Sequence, residues 1–209
     1  MIKKIITFIC MMMVFSGMCL LTYNVIKDKE IKKEDNEKIE EFFNNYSEEF
    51  ENIDTDENVE DVIVNNDIDV SSYLAVIEIP SISLKTGIVM SDTSYKSMDR
   101  NVSIFPTSDM PDVKDGNFIL FGHNGNSRVS YFKNIYKLNK GDDIYIYYQN
   151  SKYHYKVINK YDVEMNSNIP LKKIEGKTII TLITCNKNNN KYRTIVVGEL
   201  VNDKWNNKG

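Results

Sequence analysis

Histidine is scarce in this 209-residue chain, with only His123 and His154, and cysteine numbers three. Neither C-x-x-C nor H-E-x-x-H occurs, so the ligand spacing of a zinc centre is missing. No glycine-rich phosphate loop follows a strand-like run, which removes nucleotide chemistry from consideration. A basic surplus is lacking as well. The formal net charge is −4 and lysines are interspersed with Asp and Glu, which leaves no positive face for nucleic acid. Nothing in the residues calls for a cofactor. Ala75 is the sole alanine of a chain rich in Asn, Lys, Ile and Tyr, a bias that says nothing about chemistry.

Charge is also missing from the run "IITFICMMMVFSGMCLLTYNVI", residues 5–26. At about 1.5 Å per residue such a helix spans about 30 Å, the hydrocarbon thickness of a bilayer. A cleaved signal peptide would carry a shorter apolar core and a small-x-small site, and no such site follows. A lipoprotein signal at Cys19 is disfavoured because Met18 stands where a small residue belongs. The reading is an uncleaved signal anchor. Lys3 and Lys4, within residues 1–4, place the N-terminus in the cytoplasm and the remainder outside.

Cys10 and Cys19 fall inside the apolar run, where they act as small apolar side chains. Cys185 is then the single thiol of the exported part. A secreted domain stabilised by disulfides carries an even number of cysteines, so a lone thiol points to a partner in another chain or to a reactive role.

Residues 27–71 are charged, mostly acidic, and free of Gly and Pro. Ile39, Phe42, Phe43, Tyr46 and Phe50 recur at three- and four-residue spacing, one face of an amphipathic stalk helix over Glu34–Glu51. Asp54–Asp69 reads as a solvated linker. From Ser72 the pattern changes to short β-rich runs broken by turn residues. Strands are expected at Tyr73–Ile79, Thr86–Val89, Asn117–Gly122, Asp143–Tyr148, Tyr153–Val163, Thr178–Thr184 and Tyr192–Leu200. A hairpin at Gln149–Ser151 joins two of them, and one short helix is expected at Ser130–Leu138. Seven strands with little helix predict an all-β domain over 72–202, a closed or nearly closed antiparallel barrel or a sandwich, followed by a tail at 203–209.

His123 directly follows "NFILFG", where a strand gives way to a Gly-rich loop and a side chain can stand on a barrel rim. His154 lies between tyrosines in an alternating strand, a structural or solvent-facing position. Cys185 ends "TIITLITC" as His123 ends its own strand, and Arg193 opens the next strand. If those last two strands pair, Arg193 returns beside the thiol. The chain has three arginines, Arg100, Arg128 and Arg193. A thiolate is the competent nucleophile and a neighbouring cation favours it. An imidazole can form that ion pair and protonate a leaving amine, and a guanidinium can donate to a developing oxyanion. Together they describe acyl transfer through a thioester. Asp109, Asp112 and Asp115 could hold calcium, but a solvated acidic loop is the simpler reading, and no metal site is assigned.

Thr181-Leu182-Ile183-Thr184-Cys185 resembles the T-L-x-T-C motif of the sortases, membrane-anchored cysteine transpeptidases of Gram-positive bacteria. Arg193 in the following strand, His123 after "FILFG", the order His, Cys, Arg, and "YLAVIEIPSISL" from Tyr73 are similar to that family too. The resemblance covers about Ser72 to Leu200. It implies an eight-stranded β-barrel, one strand more than the count above. It also implies cleavage of an L-P-x-T-G-like sorting signal on surface proteins, with a thioester on Cys185. The acyl group would pass to an amine of a cell-wall precursor or a pilin. His123 would be the general acid/base, Arg193 the oxyanion or substrate clamp, and Thr184 a residue that orients substrate. Fourteen residues, Glu164 to Lys177, separate two expected strands, too few for the long helical insertion typical of class B. That favours a class A, D or E type. No lid motif of the class C kind precedes the barrel. Two rival readings stand beside this one: a non-catalytic tethered β-domain that binds a surface partner, and a cysteine hydrolase with water as acceptor.

Overall fold

A computed structural model describes residues 2–51, 73–90, 101–125, 129–165 and 171–202. It divides into two compact units, 1–37 and 38–209. The first is helical throughout its described residues. The helix α1 runs from Ile2 to Glu51 and so continues from the expected anchor into the expected stalk without a break. Its most apolar 18-residue window has a mean hydropathy of 2.3, and α1 is long and apolar enough to cross a membrane.

The second unit is a closed eight-stranded β-barrel. Its strands are β1 (Ala75–Ile79), β2 (Leu84–Val89), β3 (Val102–Ile104), β4 (Asn117–Phe121), β5 (Asp143–Tyr148), β6 (Ser151–Glu164), β7 (Ile179–Cys185) and β8 (Tyr192–Asn202). They close in the order β1-β2-β3-β4-β7-β8-β6-β5. Two neighbouring pairs, β2–β3 and β4–β7, are parallel. The barrel is therefore mixed rather than wholly antiparallel. The eighth strand is β3, only three residues long, which pairs with β2 and with β4. Three residues carry too little alternation to register as a strand, and neighbours on both sides supply what local propensity does not.

Side-chain alternation sorts the strands into an inside and an outside. Ile77 and Ile79, Phe118 and Leu120, Ile144 and Ile146, Tyr155 and Val157, Ile180 and Leu182, and Val196 fill the barrel interior. Each fully buried aliphatic or aromatic side chain contributes about 1.5–3 kcal/mol. β5 shows the pattern plainly: Ile144, Ile146 and Tyr148 are buried and the residues between them half-exposed. β7 is different, since Ile179 through Thr184 are all buried. Its outward row, Ile179 and Ile183, joins Ile119, Phe121, Ile195 and Val197 in a second apolar cluster outside the barrel, covered by Phe105, Tyr161, Val163 and Leu171. A strand covered on both faces reads as a continuous apolar run, which is what "IITLIT" is.

Turn geometry follows residue type in part. The β5–β6 hairpin turns at Gln149 and Asn150, both left-handed (φ 43° and 55°), the pair of positive angles that a two-residue I′ turn needs. The expected short helix is a 3₁₀ helix, Tyr131–Lys137, with Phe132 and Ile135 buried against the barrel. Where its side chains are described, the expected amphipathic face of α1 packs on the barrel at Ile39 and Phe43. Ile39 is buried. Phe43 meets the Tyr147 ring at 5.0 Å in a T-shaped contact, and the Lys85 ammonium lies 4.8 Å from the Phe43 ring centre. The side chains of Tyr46 and Phe50 fall outside the described residues, as do the linker 54–69, the tail 203–209, Arg100 and Arg128.

Candidate active site

β4 and β7 run parallel with Phe121 opposite Ile183. One pleat further along, two residues past each, stand His123 and Cys185. On the other flank of β7, antiparallel β8 puts Arg193 directly opposite Cys185. Directly opposed residues of an antiparallel pair have Cβ atoms about 4.5–5.5 Å apart. Three adjacent strands thus bring the three residues singled out in the sequence to one rim. Cys185 and Arg193 also continue the outward rows, Ile179–Ile183 and Ile195–Val197, so their side chains leave the sheet on the face of the outer apolar cluster.

Exposure suits reactivity. Cys185 is exposed and in no disulfide, and His123 is half-buried. Arg193 is half-buried, and its Nε is buried without a hydrogen-bond partner among the described residues. A buried donor left unpaired costs about 1–3 kcal/mol, a cost that an incoming acceptor removes.

Several bonds fix the geometry. Gly122 N–H donates to Ile183 O at 3.2 Å, and the Thr184 hydroxyl donates to Gly122 O at 2.8 Å. Asn124 Nδ2 donates to Cys185 O at 2.6 Å. A side chain at Gly122 would be tight, because a Cβ there would lie 3.0 Å from the Phe132 ring, which would have to give way. Phe132 N–H in turn donates to His123 O at 3.2 Å, so the 3₁₀ helix packs directly under the histidine.

The loop between β7 and β8 is ordered by one side chain. Asn186 N–H donates to Tyr192 O at 2.9 Å, and Asn186 Oδ1 accepts from the N–H groups of Asn188 and Asn189. Its Nδ2 donates to Thr194 Oγ1, which donates to Asp162 Oδ1 at 2.7 Å. Beyond this turn, Lys187 Nζ donates to the Tyr136 hydroxyl on the 3₁₀ helix, and that hydrogen bond holds the phenol below its ordinary value.

Thr184 faces the barrel interior, 3% exposed, with its hydroxyl committed to Gly122. It fastens together the two strand ends that carry the histidine and the cysteine. His154 lies on the β5–β6 hairpin, stacked on Tyr145, with Nε2 2.7 Å from Asp143 Oδ1. Of the three acidic residues considered for calcium, Asp109 is a lock rather than a solvated side chain. Its carboxylate accepts from Asn117 N–H and from Lys173 Nζ, and these two bonds hold its pKa below the usual carboxylate range. Among the described residues no three His, Cys, Asp or Glu side chains are grouped to hold a metal. Sequence reasoning passed over Asn124 and Asn186. Their signal was position alone: each directly follows a residue already singled out.

A sortase domain model matches residues 77–201, more than half of the chain. Among curated proteins, sortase A of Bacillus anthracis is 32% identical over 143 residues, which cover 68% of this chain and 66% of that protein. Sortase SrtE1 of Streptomyces coelicolor is 34% identical over 149 residues, 65% of this chain but only 42% of the relative. The crystal structure of sortase C-1 from Actinomyces oris superposes with a TM-score of 0.59 at 30% identity, over 66% of this chain and 75% of the other. These relatives bear three different class names, so similarity of fold does not sort the chain among the classes. The matched span contains every strand from β2 to β7 and the whole His-Cys-Arg rim, and the chain belongs to the sortase family, whose members are cysteine transpeptidases.

Proposed function

We propose that the chain is a transpeptidase that cleaves an L-P-x-T-G-like sorting signal on surface proteins and passes the acyl part to an amine of the cell wall or of a pilin. The observation that carries this reading is the placement of Cys185 opposite Arg193 with His123 level on the other side. The Cys185 thiolate attacks the carbonyl carbon of the scissile peptide, and the carbonyl oxygen takes up the negative charge. Arg193 Nε donates to that oxyanion. His123 gives its proton to the leaving nitrogen, the C–N bond breaks, and a thioester remains on Cys185. An incoming amine then attacks the thioester carbon and loses a proton to His123. A new amide forms and the thiolate is released. Thr184 serves by holding Gly122, and through it the histidine loop. In this reading α1 spans the cytoplasmic membrane with its N-terminus inside and the barrel outside.

The test uses the full-length chain in detergent with a small panel of sorting-signal peptides and amines. Mass analysis is expected to find an acyl adduct on Cys185, and, with hydroxylamine or a glycine peptide present, the amine product in preference to the free acid. Free acid alone would identify a hydrolase. A Cys185 that never acylates would leave only the non-catalytic binding domain.

A further inference from the structure

In a parallel ladder, N–H to O=C rungs recur at every second residue along each strand. Between β4 and β7 the last backbone rung is Gly122 N–H to Ile183 O. In a regular parallel ladder the rungs that follow are Cys185 N–H to Gly122 O, an acceptor that here takes the Thr184 hydroxyl, and then residue 124 N–H to Cys185 O. At that point the chain has left the strand, and His123 O is taken by Phe132 N–H of the 3₁₀ helix. The Cys185 carbonyl nevertheless receives a donor, Asn124 Nδ2 at 2.6 Å. A side-chain amide stands in for a backbone rung. It lets the main chain turn away while the ladder's spacing is kept for one more step.

We propose that Asn124 is a positioning residue that completes the ladder with its side chain and thereby holds the His123 imidazole in register with the Cys185 sulfur. Both neighbours of His123 are tied to β7: Gly122 through Ile183 and Thr184, and Asn124 through Cys185. The Cys185 carbonyl is held by Asn124, and the N–H that follows it is held by Tyr192 O. The peptide that carries the nucleophile is therefore pinned from both flanks. An ion pair weakens with distance, and proton transfer needs donor and acceptor within about 3 Å or one bridging water. Loosening this rung is thus expected to act on thiolate formation and on kcat rather than on substrate binding. The inference takes from the proposed function only that Cys185 and His123 act as a pair.

The experiment compares Asn124→Ala and Asn124→Asp with the wild-type chain, full length in detergent. The first readout is the rate of Cys185 alkylation by iodoacetamide across pH, followed by mass analysis of the peptide containing that residue. The second is the split of peptide turnover between kcat and KM. Both variants lack the amide donor, and Asp keeps the shape. Both are expected to move the alkylation profile to higher pH and to lower kcat about 10–100-fold, with KM within about twofold. Asn124→Gln, which keeps the donor on a longer arm, is expected to fall between them and wild type. Profiles and kcat within about twofold of wild type in both variants would overturn the assignment. A shift in Asn124→Asp alone would mark the added charge rather than the lost donor, and overturns it too. If the wild-type chain alkylates but never acylates, the proposed function fails while the alkylation profiles still decide on Asn124.

Discussion

The two histidines of the chain stand in regions of the barrel built to opposite ends. Around His154 on the β5–β6 hairpin the charged side chains pair with one another. His154 and Lys156 share the Asp143 carboxylate, Tyr145 stacks on the histidine, and Lys152 lies 4.1 Å from the Tyr145 ring centre. At the β4–β7–β8 rim a sulfur is exposed and a guanidinium nitrogen is buried with no partner among the described residues. The charge cluster around His154 closes on itself, whereas in the proposed function the rim is completed by its substrate.

The sharpest way to break the comparison is to exchange the fates of the two regions. Cys185→Ala is expected to abolish acyl adduct and turnover while the melting temperature stays near wild type. His123→Ala is expected to lower kcat/KM about 10²–10⁴-fold and Arg193→Ala about 10²–10³-fold. His154→Ala is expected to stay within about twofold. An equally severe His154 variant would assign the imidazole role to the wrong region.

A smaller effect tests the support beneath the rim. Gly122→Ala puts a methyl group against the Phe132 ring and is expected to cost about 1–3 kcal/mol in chemical denaturation, with lost activity as the histidine loop shifts. A methyl change of like size on the outer face of the β5–β6 hairpin should do neither.

Paired carboxylates sharpen the contrast through pH. Asp109 and Asp143 are both held below the ordinary carboxylate range, the first by Asn117 N–H and Lys173, the second by Lys156 and His154. The folded state thus binds fewer protons than the unfolded chain near pH 4. Their contribution is complete above the unfolded value of about 3.9 and is lost as pH falls through the lower folded values. Asp109→Asn is expected to cost about 1 kcal/mol at pH 7 and little at pH 2, read from urea midpoints at the two pH values. The smallest effect belongs to the hairpin turn: Asn150→Gly relieves a left-handed angle and is expected to add about 0.5 kcal/mol.

The candidate site was legible in the sequence because its residues sit at strand ends. "FILFGH" and "TLITC" are apolar runs that stop at a polar side chain, and the short interval to Arg193 forces β7 and β8 to be neighbours. Less legible was whatever depends on distant pairing. β3 is too short to show a period, and its existence rests on β2 and β4. The parallel pairing of β4 with β7 joins segments about 60 residues apart, and no local signal reports it. Periodicity at Ser130–Leu138 announced a helix, but not that Lys160 Nζ would take the carbonyls of Tyr136 and Leu138 at its end, nor that the helix would be of the tighter 3₁₀ kind. Asn124 and Asn186 escaped notice because an asparagine in a loop looks the same whether it faces water or replaces a main-chain bond.

Closure of the barrel has one more consequence. At Cys185 the end of β7 lies between β4 and β8, so among the described residues the rim offers no open strand edge for a visiting peptide to extend by strand addition. A chain that reaches Cys185 must lie across the outer face, its own amides paired to loops or to water. Discrimination among peptides then falls to the shapes of side chains on that face, which can change without disturbing the hydrogen-bonded cylinder beneath.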